Sequence, residues 1–141
     1  MKRILLPVDG SVTCFGAFDY AKNLALEFDA EIIILNSQDI SPSFVWLNDP
    51  MLAANTQYDP KKVANEIVAK AARYFDNLDL KITCKTEIGE AAHAIIDVAD
   101  QEEVDLIVMC THGMSAAKRF LVGSVTNNVV HHANVPVLVI K

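Results

Sequence analysis

Asp9, and a glycine-punctuated turn in which Cys110-Thr111-His112-Gly113 is followed after nine residues by Gly123-Ser124, are the groups in this chain best suited to binding chemistry. Val104 to Met109 is a compact apolar run rich in β-branched residues, which fits a strand buried on both faces. The residues after it turn small and polar and stop at Gly123-Ser124, where VTNNVVHH can begin a helix. Strand, loop and helix start are thus laid end to end, and their backbone N–H groups point at whatever lies beyond the strand's carboxyl end. Such groups favour anions, phosphate above all. Each residue taken singly has a plainer use: Gly113 and Gly123 can simply terminate elements, and Asp9 can stabilise the positive end of a neighbouring helix.

The other reactive side chains form no legible catalytic set. No nucleophile–base pair and no GxxxxGK[ST] loop is present, and Asp9 alone does not define a catalytic base. Cys14, Cys84 and Cys110 are odd in number, far apart and without a CxxC pair, which reads as three reduced thiols. Cys110 suits a small apolar filler, with a redox role as the alternative. His112 lies in the loop, where it can touch a phosphate or stay solvated. His131-His132 fit the negative end of a helix dipole, and His93 has no partner at metal-ligand spacing. Lys118-Arg119 can reach a triphosphate or remain a solvated pair.

The elements that must position these groups are bounded by size and composition. At 141 residues, with 52% hydrophobic and 21% charged side chains, the chain suits one domain, residues 1–141, around a single core. A net charge of −6 argues against a nucleic-acid surface, since phosphate contacts need a clustered basic patch. Apolar runs such as EIIIL and VPVLVIK are too short to cross a bilayer, and Met1-Lys2-Arg3 leads into a strand without a cleavable signal. A soluble cytoplasmic protein that does not engage membranes is expected.

Strand and helix signals alternate along the chain. RILLPV, residues 3–8, reads as a buried strand closed by Asp9-Gly10-Ser11, with Pro7 near its end and Ser11 or Thr13 to cap the next helix. That helix runs from about Thr13 to Phe28, with Ala17, Ala21, Leu24 and Phe28 inward. EIIILN, residues 31–36, is the second strand. A long connection follows at about 37–58; Phe44, Val45, Trp46 and Leu47 in it suit packing at a subunit interface or folding over the chain's own core. Asp59-Pro60 starts a second helix to about Asn77, with Val63, Ile67, Ala71, Tyr74 or Phe75, and Leu78 inward. LKITCKT, residues 80–86, alternates as an edge strand should. Gly89-Glu90 opens a third helix with Ala92, Ile95, Val98 and Ala99 inward. Val104 to Met109, Ser124 to His132 and Val135 to Ile140 are the last strand, helix and strand.

This alternation predicts an α/β fold: a mainly parallel sheet with helices on both faces and right-handed crossovers, whose ligands bind beyond the carboxyl ends of the strands where the strand order reverses. With the first and fourth strands flanking that point, Asp9 and the loop from Cys110 to Ser124 face one crevice.

PVDGS at 7–11, the long loop after the second strand, DLIVMCTHG at 105–113, GSVTNNVVHHA at 123–133 and the closing PVLVIK together resemble the universal stress protein family, over essentially the whole chain. The family's nucleotide motif is G-x2-G-x9-G-[ST]; here its spacing is intact, with Cys110 in place of the first glycine. The resemblance implies an open five-stranded parallel sheet of order 3-2-1-4-5, Rossmann-like and akin to the adenine nucleotide alpha hydrolases, holding ATP or AMP with or without Mg²⁺. It implies that Asp9 accepts hydrogen bonds from the ribose hydroxyls, that Pro7 and Val8 pack near the adenine, and that the Ser37 backbone reads the base edge. Met109 and Cys110 would floor the pocket, and Gly113, Gly123, Ser124 and Val125 would hold the phosphates.

The expected function is that of a nucleotide-binding stress-response regulator rather than an enzyme, with slow ATP hydrolysis as its upper limit. Nucleotide occupancy would order the loop from Ser37 to Tyr58 and shift a dimer or partner equilibrium. The homodimer would form through the C-terminal strand, Val135–Lys141, as the resemblance also suggests. The alternative is an interaction module of the same fold, with a degenerate site at Cys110 and Trp46 anchoring a partner.

Overall fold

Ile32, Ile33, Ile34 and Leu35 are consecutive and all buried, which a strand achieves only when both faces of its sheet are covered. The structure, a computed structural model, describes residues 1–11, 15–41, 51, 58–111 and 123–141. Its elements are β1 (Arg3–Pro7), α1 (Phe15–Phe28), β2 (Glu31–Gln38), α2 (Pro60–Ala72) with a 3₁₀ turn at Arg73–Phe75, β3 (Ile82–Ile88), α3 (Ala91–Gln101), β4 (Leu106–Cys110), α4 (Ser124–His132) and β5 (Val137–Ile140). The five strands form one parallel sheet in the order β3-β2-β1-β4-β5. This is the α/β, Rossmann-like order predicted above. Among the described residues no helix is long and apolar enough to cross a membrane.

Successive strand side chains point to opposite faces, so the sheet divides the core in two. Ile4, Leu6, Ile32, Ile34 and Val108 pack with Ala17, Phe18, Ala21 and Ala25 of α1 and Val68 of α2. Leu5, Ile33, Leu35, Ile107 and Met109 pack with Ala92, Ile95, Val98 and Ala99 of α3 and Val129 of α4. Small residues on α1 bring its backbone close to the sheet, and Phe18 fills the space beside Phe75, their rings stacked at 5.8 Å.

Local signals explain the starts of α2 and α3. Asp59 accepts a hydrogen bond from the Lys62 amide, and Pro60 occupies the first turn, where its missing N–H costs nothing. Glu90 accepts from the Ala92 and His93 amides at 3.0 and 3.1 Å. Of the two residues expected to cap α1, Thr13 lies outside the described residues, and Ser11 donates its amide to Asp9 in the turn before the helix.

Several expected boundaries move. β2 extends through Ser37 and Gln38, and β3 begins at Ile82 rather than residue 80, because the two strands pair from Ile32↔Ile82 to Gln38↔Ile88. β4 and β5 begin later than Val104 and Val135, at Leu106 and Val137. In α2 the deepest residues are Ala64 and Val68, not Val63; Ile67, Ala71, Tyr74 and Leu78 are partly buried beside them. Phe28, expected inward, is 51% exposed. As the last residue of α1 it overhangs the amino edge of the sheet, in a shallow depression with Lys2, Ala30 and Leu80.

Candidate functional site

The strand order reverses between β1 and β4. The chain proceeds outward from β1 through β2 to β3, then returns to β1's other side. The carboxyl ends of β1 and β4 therefore stand side by side, with Ile4 paired to Leu106 and Leu5 to Ile107. A crevice at such a reversal is where ligands of open α/β sheets bind.

On the β1 side, Pro7 ends the strand, past the last β1–β4 pair at Leu5 and Ile107, where a missing N–H disturbs the ladder least. Val8 is buried and still donates its amide to the Leu35 carbonyl at 2.8 Å. Asp9 then turns the chain: its Oδ1 accepts from the Ser11 amide at 2.9 Å, a turn closed by a carboxylate. Gly10 sits at φ +83°, and a Cβ there would lie 3.3 Å from the Ile67 side chain. Both backbone and space thus select glycine.

On the β4 side, two hydrogen bonds bracket the strand end to the start of α4. The Gly123 amide donates to the Thr111 carbonyl at 2.7 Å, and the Thr126 hydroxyl donates to the Cys110 carbonyl at 2.8 Å. Thr126 is 3% exposed, so its hydroxyl is an internal fastener rather than a solvated group. Gly123 is needed here for room: a Cβ on it would stand 3.0 Å from the Thr111 oxygen. Gly123 caps α4 without a side-chain hydrogen bond, so no side chain of the cap competes for the first-turn amides at Ser124 and Val125. Thr111 is tied to β5 as well, through its amide to the Ile140 carbonyl at 2.9 Å.

Cys110 is half-buried and packs with the α1-side cluster, whereas Met109 is buried in the α3-side cluster. Ser37 lies in β2, in register with Glu87 of β3. Its hydroxyl donates to the Gly89 carbonyl at 2.8 Å, while the Gly89 amide donates to the Gln38 carbonyl at 3.0 Å. The structure thus gathers Pro7, Val8, Asp9, Met109, Cys110, Gly123, Ser124 and Val125 at the adjoining ends of β1, β4 and α4. Ser37 is at the same edge, next to β1's end on β2. Gly113, His112, Lys118-Arg119, Cys14 and Trp46 lie outside the described residues, as does most of the 37–58 connection.

Sequence reasoning missed Asn36, Gln38, Tyr58 and Thr126. Asn36 is 2% exposed; its Nδ2 donates to the Val8 carbonyl at 2.7 Å, and its Oδ1 accepts from Gln38 Nε2 at 2.7 Å. The Tyr58 hydroxyl in turn donates to Gln38 Oε1 at 2.8 Å. Burial, and less strongly the neighbouring Asp59 carboxylate, raise the Tyr58 phenol above its ordinary pKa. The available signal was an amide ending an otherwise apolar strand, a group that is buried only with partners. Among the described residues no group of three or more His, Cys, Asp or Glu side chains could hold a metal.

A model of the universal stress protein family matches residues 1–141. A universal stress protein of Methanocaldococcus jannaschii is 35% identical over 140 residues, covering 99% of this chain and 82% of its own length. Among solved structures, the universal stress protein UspA from Lactobacillus plantarum superposes with a TM-score of 0.78 at 29% identity, covering 99% of this chain and 97% of that one. The universal stress protein from Archaeoglobus fulgidus, solved in complex with dAMP, has a TM-score of 0.74 at 20% identity, covering 100% and 98%, and shares the fold.

Proposed function

Because the chain belongs to the universal stress protein family, we propose that it is a cytoplasmic, single-domain regulator that binds an adenine nucleotide, ATP or AMP, in the crevice between the ends of β1 and β4. The observation that carries this reading is the meeting, at one strand reversal, of a carboxylate held in a turn with a helix amino terminus whose capping residue has no side chain. A nucleotide is complementary to that pair: a ribose diol donates to a carboxylate, and phosphate oxygens accept from helix amides. In this reading Asp9 takes the ribose hydroxyls, Pro7 and Val8 flank the base, and the Ser37 backbone meets its edge. Met109 and Cys110 form the floor, and Gly113, Gly123, Ser124 and Val125 take the phosphates. That a protein of the same fold holds dAMP sets the ligand class to test; the residues that support it are this chain's own.

Thermal denaturation with ATP, AMP and GTP tests it. At a hundredfold excess over the dissociation constant, a ligand that binds only the folded state adds about 2.7 kcal/mol. For a chain of this size that is a rise in Tm of roughly 5–10 °C. AMP or ATP should produce it and GTP a smaller rise. No shift with any nucleotide would sink the reading in favour of a ligand-free interaction module.

The reading includes a homodimer. β5 is a sheet edge, and Val137, Leu138, Val139 and Ile140 are all half-buried in the single chain. An open apolar edge invites pairing, and a two-fold mate would cover it along Val135–Lys141. Sedimentation of a dilute sample should show a dimer; monomer alone at micromolar concentration would count against it.

A further inference from the structure

Of the polar side chains buried among the described residues, Asn36 is the one carried by a strand covered on both faces. Placing an amide there has a desolvation cost unless both of its ends are bonded. Both ends are bonded, and the bonds run in one direction: Tyr58 hydroxyl to Gln38 Oε1, Gln38 Nε2 to Asn36 Oδ1, Asn36 Nδ2 to the Val8 carbonyl, at 2.8, 2.7 and 2.7 Å. The Val8 oxygen only accepts, so it must meet Asn36 Nδ2; reversing Asn36 would set like against like at both of its contacts, and reversing Gln38 would set its oxygen against Asn36 Oδ1. Only one arrangement satisfies the row, so each member fixes the next.

The row ends on an informative atom. The Val8 carbonyl lies just past the last residue of β1. The Val8–Asp9 peptide is planar, so holding the Val8 oxygen fixes the plane that also contains the Asp9 amide and α-carbon. From the other side the Asp9 carboxylate is held by the Ser11 amide. The carboxylate is therefore set from both directions, by its own turn and by a chain of side chains that starts at Tyr58.

We propose that Asn36 is the positioning residue for the Asp9 carboxylate, with Gln38 and Tyr58 keeping the Asn36 amide in its orientation, so that these three residues set the affinity for the ribose diol. This inference rests on the nucleotide reading above. The substitutions are Asn36→Leu, which keeps the volume and removes the amide, and Tyr58→Phe, which removes one oxygen and covers the case in which the first variant fails to fold. The probes are AMP and 2′,3′-dideoxy-AMP, which lacks the hydroxyls assigned to Asp9.

By calorimetry, Asn36→Leu should weaken AMP about tenfold and Tyr58→Phe roughly threefold, with dideoxy-AMP changed less than about twofold by either. Equal loss for both nucleotides would reduce the row to a structural support and overturn the inference. So would no loss for either. A ligand-free readout separates the two levels: with no nucleotide present, both variants should shift the Asp9 and Ser11 amide resonances and speed hydrogen exchange at Ser11. If those signals stay put, the positioning role fails whatever the protein binds. If they move but wild type binds neither nucleotide, the row still positions Asp9 and it is the nucleotide reading, with the diol role drawn from it, that fails.

Discussion

Replacing Gly123 with valine is expected to lower Tm by roughly 5–15 °C and to abolish measurable nucleotide binding. The cause is space rather than backbone strain. A Cβ at position 123 would meet the Thr111 oxygen at 3.0 Å, the same oxygen that accepts the Gly123 amide at 2.7 Å. Neither atom can yield, because Thr111 is fastened to Ile140 and the helix that starts at Ser124 is fastened through Thr126 to Cys110. Overpacking typically costs about 1–3 kcal/mol, and the lost hydrogen bond about 0.5–1.5 kcal/mol more. A combined loss of roughly 2–4 kcal/mol converts to the stated range for a chain of this size. The binding loss follows from the same displacement, since the first-turn amides of α4 move with the residue before them. Scanning calorimetry and nucleotide titration on one preparation check both parts. A variant that melts like wild type would show that the bracket gives way without cost.

Replacing Asp9 with alanine should raise the dissociation constant for AMP about 10- to 100-fold while costing little stability. A hydrogen bond to a charged acceptor is worth about 1.5–3 kcal/mol, and removing the carboxylate leaves the ribose hydroxyls unmatched in the crevice. The half-buried Asp9 also accepts from the Ser11 amide, so alanine loosens the turn as well as the ligand contact. Asparagine separates the two roles. Its oxygen can keep the Ser11 amide in place, but it lacks the charge, so Asp9→Asn should melt like wild type and bind AMP with intermediate affinity. If Asp9→Ala binds AMP as wild type does, the carboxylate does not face the ribose.

The parts of the fold that were legible in the sequence are those decided locally. EIIIL is apolar on both faces because the sheet is covered on both. Asp59-Pro60 and Glu90 announce their helices because a cap acts within one turn. What escaped was decided by register. That Asn36 would meet Val8, or Thr126 the end of β4, depends on how far one strand slides along another, and nothing in either segment by itself encodes the offset. Phe28 failed for a related reason: it obeys the helical period, but the sheet beneath α1 ends before it does. Of the predicted site, the glycine pattern drew attention to the right helix start, while the reason for Gly123, a carbonyl in the way of any side chain, appears only in three dimensions.

Across the turn that carries Asp9, the Ile67 side chain fills the space that a Cβ at position 10 would need, 3.3 Å from where that atom would stand. Neither position can therefore diversify by itself. A bulkier neighbour at 67 would push the acidic turn outward, and any side chain at 10 would have to displace the isoleucine while also adopting a left-handed backbone. Across relatives the two sites should change only as a pair, with glycine at the turn surviving wherever a branched aliphatic leans on it from α2.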